Sequence, residues 1–437
     1  MKLLNAGRFL LRGAAGVFLA AGALRAEEPE WKAVRETTFD LVWSTVNEAY
    51  YDPTFGGVDW AGIKKTYQAR VEEADDKAEL RGVLQAMLGE LRKTHFAIVP
   101  REAAVFTPEE RKQTGTTGAK FVTAGGEVVV ADVAADSTAA GAGLRNGDKI
   151  RSVGGREVAE VARLYADTGV TEARRDFYLK SFVTAPLSGP VGGSVAVEVE
   201  GADGKVRTVE LKSEMQQGAW SEPMGNLPSY PVAIEARRGE DGLGYLKFNT
   251  FSPALMKEIR VFLRELRTGD GLVIDLRGNP GGLILMASGL CGWLSAEEFS
   301  LGRMRMRSGL MNFDVFPQAK AFTGPVAVLI DSGSASTSEV LAAGLQEAGR
   351  ARVFGETSAG AALPSAFLKL PTGDLLQYAL ADLTTPGGAT LEGVGVTPDE
   401  PVKRSREDIA AESDPVLEAA KKWIGDRRRA GEGEGTK

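Results

Sequence analysis

Cysteine is nearly missing from this sequence: Cys291 is the only one in 437 residues. An intramolecular disulfide is therefore impossible, and the fold must be held by its cores alone. Histidine is equally scarce, and His95 is the only one. Nor is there an excess of positive charge. The formal net charge is -7 at pH 7, whereas a dedicated nucleic-acid binder needs a basic face to neutralise phosphates. The apolar run near the start, Gly13 to Leu24, is too short to span the ~30 Å core of a bilayer.

That run has another reading. Lys2, Arg8 and Arg12 precede it, and Ala21-Gly22-Ala23 forms a small-x-small cleavage site, with Ala26 offering a second. This is the pattern of an export signal over residues 1–26. The alternative is an uncleaved anchor. No cysteine lies near the cleavage site, so bacterial lipid attachment is ruled out there. A span of 437 residues with 43% hydrophobics suggests two to four domains, each with its own core.

Residues 27–100 predict a helical domain. Phe39, Val42, Trp43, Val46 and Tyr50 fall at three- and four-residue steps, the spacing of one buried helical face. Asp59 and Asp76 stand where helix caps belong, the second with Glu79 in a capping-box arrangement. The segment delivers the chain to Lys93-Thr94-His95-Phe96. From about residue 108 to 213 the pattern turns to short strands and glycine-rich turns. Ala139-Ala140-Gly141-Ala142-Gly143-Leu144-Arg145-Asn146-Gly147-Asp148-Lys149-Ile150 resembles the signature of PDZ domains, with Gly118-Ala119-Lys120-Phe121 at the place of the carboxylate loop. A PDZ-like β domain would take a peptide as an added strand; a small β domain that binds nothing is the alternative. Residues 230–405 alternate strand and helix, which argues for a layered α/β domain. Residues 406–437 read as a helix and, from Asp426, a disordered tail.

Chemistry is concentrated in three places. Ser334-Ala335-Ser336-Thr337-Ser338-Glu339 lies between a buried strand and a helix. A serine on such a turn is exposed, and the next backbone N–H points from a helix N-terminus that favours negative charge. Ser-rich turns are also ordinary helix caps. Asn279-Pro280-Gly281-Gly282 is a second strand-to-helix turn, whose glycines leave backbone N–H groups unshielded. It could equally be a structural turn or a phosphate cradle. A hydroxyl nucleophile needs a base, and His95 is the one imidazole; its ordinary pKa of ~6.5 suits proton transfer near neutrality. A lone histidine is more often structural.

Taken in order, Thr94-His95-Phe96, the PDZ signature, VIDLRGNPGG, GSASTSEVLAAGLQE, RARVFGET and LEGVGVTPD resemble peptidase family S41. The resemblance covers most of the chain from Phe39 to Val402. It implies a multidomain α/β protein: an N-terminal helical domain, a PDZ-like β domain and a ClpP/crotonase-like catalytic domain. It aligns Ser336 with the family nucleophile, and Thr337 with one oxyanion amide. Gly281 or Gly282 aligns with the other. It calls for no cofactor and no metal. The processing-peptidase branch pairs its serine with a lysine, but Ala361 stands at that position, and a methyl group cannot accept a proton. The next lysine, Lys369, falls in a predicted hairpin. The tricorn-like branch instead uses Ser and His with a hydroxyl residue and a Glu. By that resemblance the set here is Ser336, His95, Thr94 and Glu392, with Thr94 in place of the usual serine.

The leading expectation is an exported serine endopeptidase acting near the C-termini of unfolded or tagged proteins. Polypeptides would be recruited through the PDZ-like domain, with no nucleic acid and no stable membrane span after cleavage. Activity is expected to fall at acid pH as His95 protonates. The alternative is an exported binding protein that keeps the scaffold without turnover. Acyl-CoA chemistry on a crotonase-like fold fits neither the export signal nor the PDZ signature.

Overall fold

The computed structural model describes residues 29–434 except 167 and 268. The expected export signal, with Ala21-Gly22-Ala23 and Ala26, lies outside the described residues.

Helices α1 (Pro29–Ala49), α2 (Trp60–Glu72) and α3 (Lys77–Gly89) open the structure. Asp59 accepts a hydrogen bond from the Gly62 N–H, and Asp76 from those of Ala78 and Glu79, so both caps form where the sequence places them. Phe39, Val42, Val46, Leu80, Leu84 and Met87 share one core. That core is not theirs alone, because Leu363, Leu370, Leu376 and Ala379 from far down the chain complete it. The three helices leave one apolar face open between them, and they spread it on the α/β region. Strand β1 (Ala97–Val99) follows them.

The PDZ-like region contains β2 (Ala119–Ala124), β3 (Glu127–Val133), β4 (Lys149–Val153), α4 (Val158–Ala166), α5 (Glu172–Leu187), β5 (Ser194–Glu200) and β6 (Val206–Lys212). The strands lie in the order β2-β3-β4-β5-β6, which leaves β2 on an edge. Gly118 leads into it at φ +78°, and a Cβ there would stand 2.2 Å from Ser137 Cβ. Helix α5 buries Leu179, Val183 and Leu187 against Phe121, Val128 and Val130. Reading this region as strands and turns missed α4 and α5. The signal was present: Thr171 caps α5, and its buried leucines and valine recur every four residues.

The α/β region comprises β7 (Ile234–Arg238), β8 (Leu243–Phe248), α6 (Pro253–Glu265), β9 (Gly271–Asp275), α7 (Ile284–Cys291), β10 (Phe299–Met306), β11 (Gly309–Val315), β12 (Val326–Ile330), α8 (Thr337–Glu347), β13 (Ala351–Gly355), β14 (Ser365–Lys369), β15 (Leu375–Ala379), β16 (Ala381–Thr384), β17 (Glu400–Pro401), α9 (Arg406–Ala410) and α10 (Pro415–Glu434). Its main sheet runs β7-β8-β9-β12-β13-β17, parallel throughout except for β7. Side chains alternate between its two faces. Leu246, Leu272, Ile274, Val326, Val328 and Ile330 face the larger core. Tyr245, Val273, Ala327, Leu329 and Phe354 pack on Val416, Ala420 and Ile424 of α10. Strand β1 joins β15, and β15 pairs with β14. Strands β11, β10 and β16 form a separate antiparallel sheet.

The expected disordered tail is corrected: from Asp426 the chain stays helical to Glu434. Val416, Ala420 and Ile424 cover a sheet face that would otherwise be wet. Burial of Val416 and of Ile424 contributes about 1.5–3 kcal/mol each over exposure. Packing of the first turns carries the helix through the arginine run, whose Arg427 lies 5.7 Å over the Trp423 ring.

Candidate active site

Strands β9 and β12 are parallel neighbours, so the loops leaving them lie side by side. Asp331 Oδ1 accepts from the Gly278 and Gly333 N–H groups at 2.8 and 2.9 Å. Ser334 Oγ donates to the Leu276 carbonyl and Ser338 Oγ to that of Asn279, at 2.8 and 2.9 Å. Arg277 anchors the first loop by pairing with buried Asp275 and with Asp414. Arg277, Lys247 and the Tyr245 hydroxyl keep the Asp275 carboxyl well below its ordinary range despite its burial. Of the three serines in the motif, Ser334 and Ser338 are fully buried and committed to the loops, while Ser336 is partly open. Ser336 sits at the N-cap of α8 with φ 55° and ψ -118°. A side-chain-bearing residue rarely adopts that conformation, and it costs roughly 1–3 kcal/mol.

Backbone amides converge beside it. The Gly281 N–H is taken by Asn279 Oδ1 at 2.9 Å. The Gly282 and Thr337 N–H groups make no hydrogen bond within the described chain. Thr337 Oγ1 donates to the Gly282 carbonyl at 2.7 Å, which fixes the two turns relative to each other. A Cβ at Gly281 would lie 2.7 Å from Ser336 Cβ, so only glycine allows this approach.

His95 lies between α3 and β1 at φ 61°. Thr94 Oγ1 donates to Glu392 Oε2 at 2.8 Å and stands 2.8 Å from His95 Nδ1. A hydroxyl has one proton. With that proton on Glu392, Thr94 can only accept from the ring, so the proton belongs on Nδ1 and Nε2 is left with its lone pair. Glu392 also accepts from the Thr94 and Ala362 N–H groups at 3.1 and 3.2 Å. Burial pushes His95 down to about 4; Glu392 opposes this and Arg174 adds to it. The expectation of titration near 6.5 is thus corrected, since a half-buried ring beside a guanidinium resists a second proton.

Thr94, His95 and Glu392 therefore meet. Ser336 is joined to them through backbone: its N–H donates to the Ala361 carbonyl at 2.9 Å, and the next residue donates to Glu392. No hydrogen bond joins Ser336 Oγ to the imidazole. Ala361 packs with Ala335, Ala359 and Phe177. Lys369 lines a different cavity, with Arg101, Phe106 and Gly373.

One residue escaped the sequence reading. Arg174 on α5 is 6% exposed, and its Nη2 lies 3.3 Å from Glu392 Oε1. The pair is not aligned as a hydrogen bond, so the contact is one of charge. Recognising α5 would have placed Arg174 on a buried face. Replacing Arg174 by Met leaves Glu392 buried without its counter-charge. We expect at least a tenfold fall in kcat, measured by steady-state hydrolysis, with KM moving less.

Residues 242–402 match the model of peptidase family S41, residues 32–89 that of the tricorn protease C1 domain and residues 115–176 that of the PDZ domain. The chain carries a peptidase family S41 domain. This S41 chain is a serine-type peptidase carrying a PDZ domain. It is 26% identical to carboxy-terminal processing protease CtpB of Bacillus subtilis, over 92% of this chain and 78% of that protein. It is 28% identical to the carboxyl-terminal-processing protease of a Picosynechococcus species, over 82% and 81% of the two chains. Among solved structures, the photosystem II D1 C-terminal processing protease matches with TM-score 0.58 and 24% identity, covering 84% of this chain and 93% of that one. Mature CPAF matches with TM-score 0.63 and 16% identity, covering 90% and 97%. These likenesses bear out the expected fold class for the S41 chain: helices first, then a PDZ domain, then a layered catalytic domain.

Proposed function

We propose that this peptidase is exported and cleaves unfolded or tagged proteins near their C-termini, using Ser336, His95, Thr94 and Glu392. The observation that carries the reading is the Thr94 hydroxyl bridging the only histidine to a buried carboxylate. His95 Nε2 takes the Ser336 proton as Oγ bonds to the scissile carbonyl carbon. The C–N bond then breaks, and the leaving amine takes that proton. Water attacks the resulting ester by the same base and frees Ser336. The free Gly282 and Thr337 N–H groups hold the oxyanion, and Gly281 allows the close approach. Glu392 balances the positive charge on the imidazolium, linked to the ring by the Thr94 hydroxyl.

The tail is recruited at the PDZ domain. The free edge of β2 and helix α5 frame part of a cavity of about 920 Å³, lined on this side by Ala119, Phe121, Thr123, Lys180 and Thr184. An extended peptide adds there as a strand. Its catalytic-domain wall includes Asp331 and Glu356. Export rests on the N-terminal signal pattern and agrees with relatives named as processing proteases. No helix among the described residues is long and apolar enough to cross a membrane.

The test is cleavage of an unfolded reporter with a free C-terminus beside the same reporter amidated at its C-terminus. Faster cleavage of the free form is expected; equal rates would remove the tail from the mechanism. A second reading, a binding protein without turnover, is favoured by Ala361 at the lysine position and by the absent Ser336–His95 hydrogen bond. Loss of cleavage with both reporters, while they still bind, would select it.

A further inference from the structure

Glu339 is the last residue of the serine motif, and the mechanism above does not use it. Its carboxylate is fully buried. Oε1 accepts from Ser358 Oγ at 2.6 Å and from the Gly360 N–H at 2.7 Å. Oε2 accepts from the Ser336 N–H at 2.9 Å, which is shared with the Ala361 carbonyl, and from the Ala361 N–H at 3.0 Å. Ser358 Oγ in turn accepts from the Val396 N–H at 2.6 Å, and the Gly393 N–H donates to the Gly360 carbonyl at 2.8 Å. One carboxylate thus ties together three pieces of the site. These are the strained turn of Ser336, the segment 358–361 that links it to the base, and the loop that carries Glu392.

All four partners donate, so each oxygen already receives two hydrogen bonds. A proton on either oxygen would meet another hydrogen and displace at least one partner. We propose that Glu339 is a positioning residue whose ionised carboxylate clamps the Ser336 turn in its reactive form, and that protonation of this carboxylate releases the clamp. The proposal rests on Ser336 as nucleophile.

Its pH range follows from the surroundings. No cation pairs with Glu339 among the described residues. The titratable side chains on the three tied segments are Asp331 in the serine loop, Glu356, two residues before Ser358, and Glu392, across the Gly360–Gly393 bond; none of them hydrogen-bonds to Glu339. Burial without a counter-charge pushes Glu339 up to about 7, and its four hydrogen bonds limit the rise. Ionisation therefore grows as pH rises through neutrality, and reactivity grows with it. His95, held to about 4, stays neutral across that range and cannot produce this limb. Glu356 is also pushed up to about 7 by burial and is the competing source.

The experiment is the rate of Ser336 labelling by a fluorophosphonate from pH 5 to 9, on the full chain and three variants. Wild type is expected to gain at least tenfold in rate across a limb near pH 7. Glu339→Gln mimics the protonated acid and should match the acid-side rate of wild type at every pH. Ser358→Ala removes one donor to the carboxylate, so its limb should move to higher pH. Glu356→Gln should leave the limb in place. Should Glu339→Gln fail to fold, the Ser358→Ala shift decides alone. A limb that stays put in Ser358→Ala, or moves only in Glu356→Gln, overturns the proposal and leaves Ser336 as nucleophile. Absence of wild-type labelling at every pH overturns both.

Discussion

Ser336→Ala is expected to abolish both fluorophosphonate labelling and peptide hydrolysis, and His95→Ala to do nearly the same. Where nucleophile and base act as a unit, losing either costs on the order of 10⁶ in kcat, and losing both costs little more. The double variant should therefore be no worse than either single one. Ser336 is partly open, and its Oγ is not bonded to the ring. Truncating it removes little packing, so the melting temperature should stay within a few degrees. Labelling that survives in His95→Ala would take the base role from the imidazole. Unlabelled wild type with a melting transition like that of the variants would leave the scaffold as a binding protein.

The second large effect belongs to Thr94. Valine has nearly its shape but cannot bridge His95 Nδ1 to Glu392 Oε2, so Thr94→Val breaks both 2.8 Å contacts at once. The ring then loses the partner that keeps its proton on Nδ1, and Glu392 loses a donor. A mis-set tautomer costs about 10⁴ in the Ser-His-Asp template, and positioned acid–base catalysis is worth about 10²–10⁴. We expect a fall of at least 10² in kcat/KM. Thr94→Ser should recover most of it, because the hydroxyl and not the methyl makes the bridge. A Thr94→Val rate within threefold of wild type would remove the relay from the mechanism.

How much of this was legible beforehand depends on the reach of each signal. The caps at Asp59 and Asp76 are local, one side chain serving amides two or three residues on, and they form as read. The strand at Gly271–Asp275 announces itself by an unbroken apolar run, because both its faces are covered. The convergence of Thr94 with Glu392 spans 298 residues, and no periodicity encodes it; only resemblance to a family brought the two together. Arg174 was invisible for a different reason. Its helix lies in a stretch whose glycine-rich turns read as strand and turn, and the buried face on which it stands exists only in the helix. The tail failed for a third reason. Its arginines and glycines look disordered alone, but the sheet face that holds the helix is built from residues more than 60 positions away.

Because His95 is the only imidazole, the protein carries a spectroscopic label at its proposed base. Isotope placed on histidine alone gives one ring spin system, with no assignment step. Its two nitrogens differ in shift according to which bears hydrogen, so the tautomer set by Thr94 is directly visible. Arg174 reaches Glu392 from the PDZ helix, so any rearrangement of that domain alters the charge beside the ring. One ring would then report, in the same spectrum, the state of the base and the arrival of a tail at the PDZ cavity.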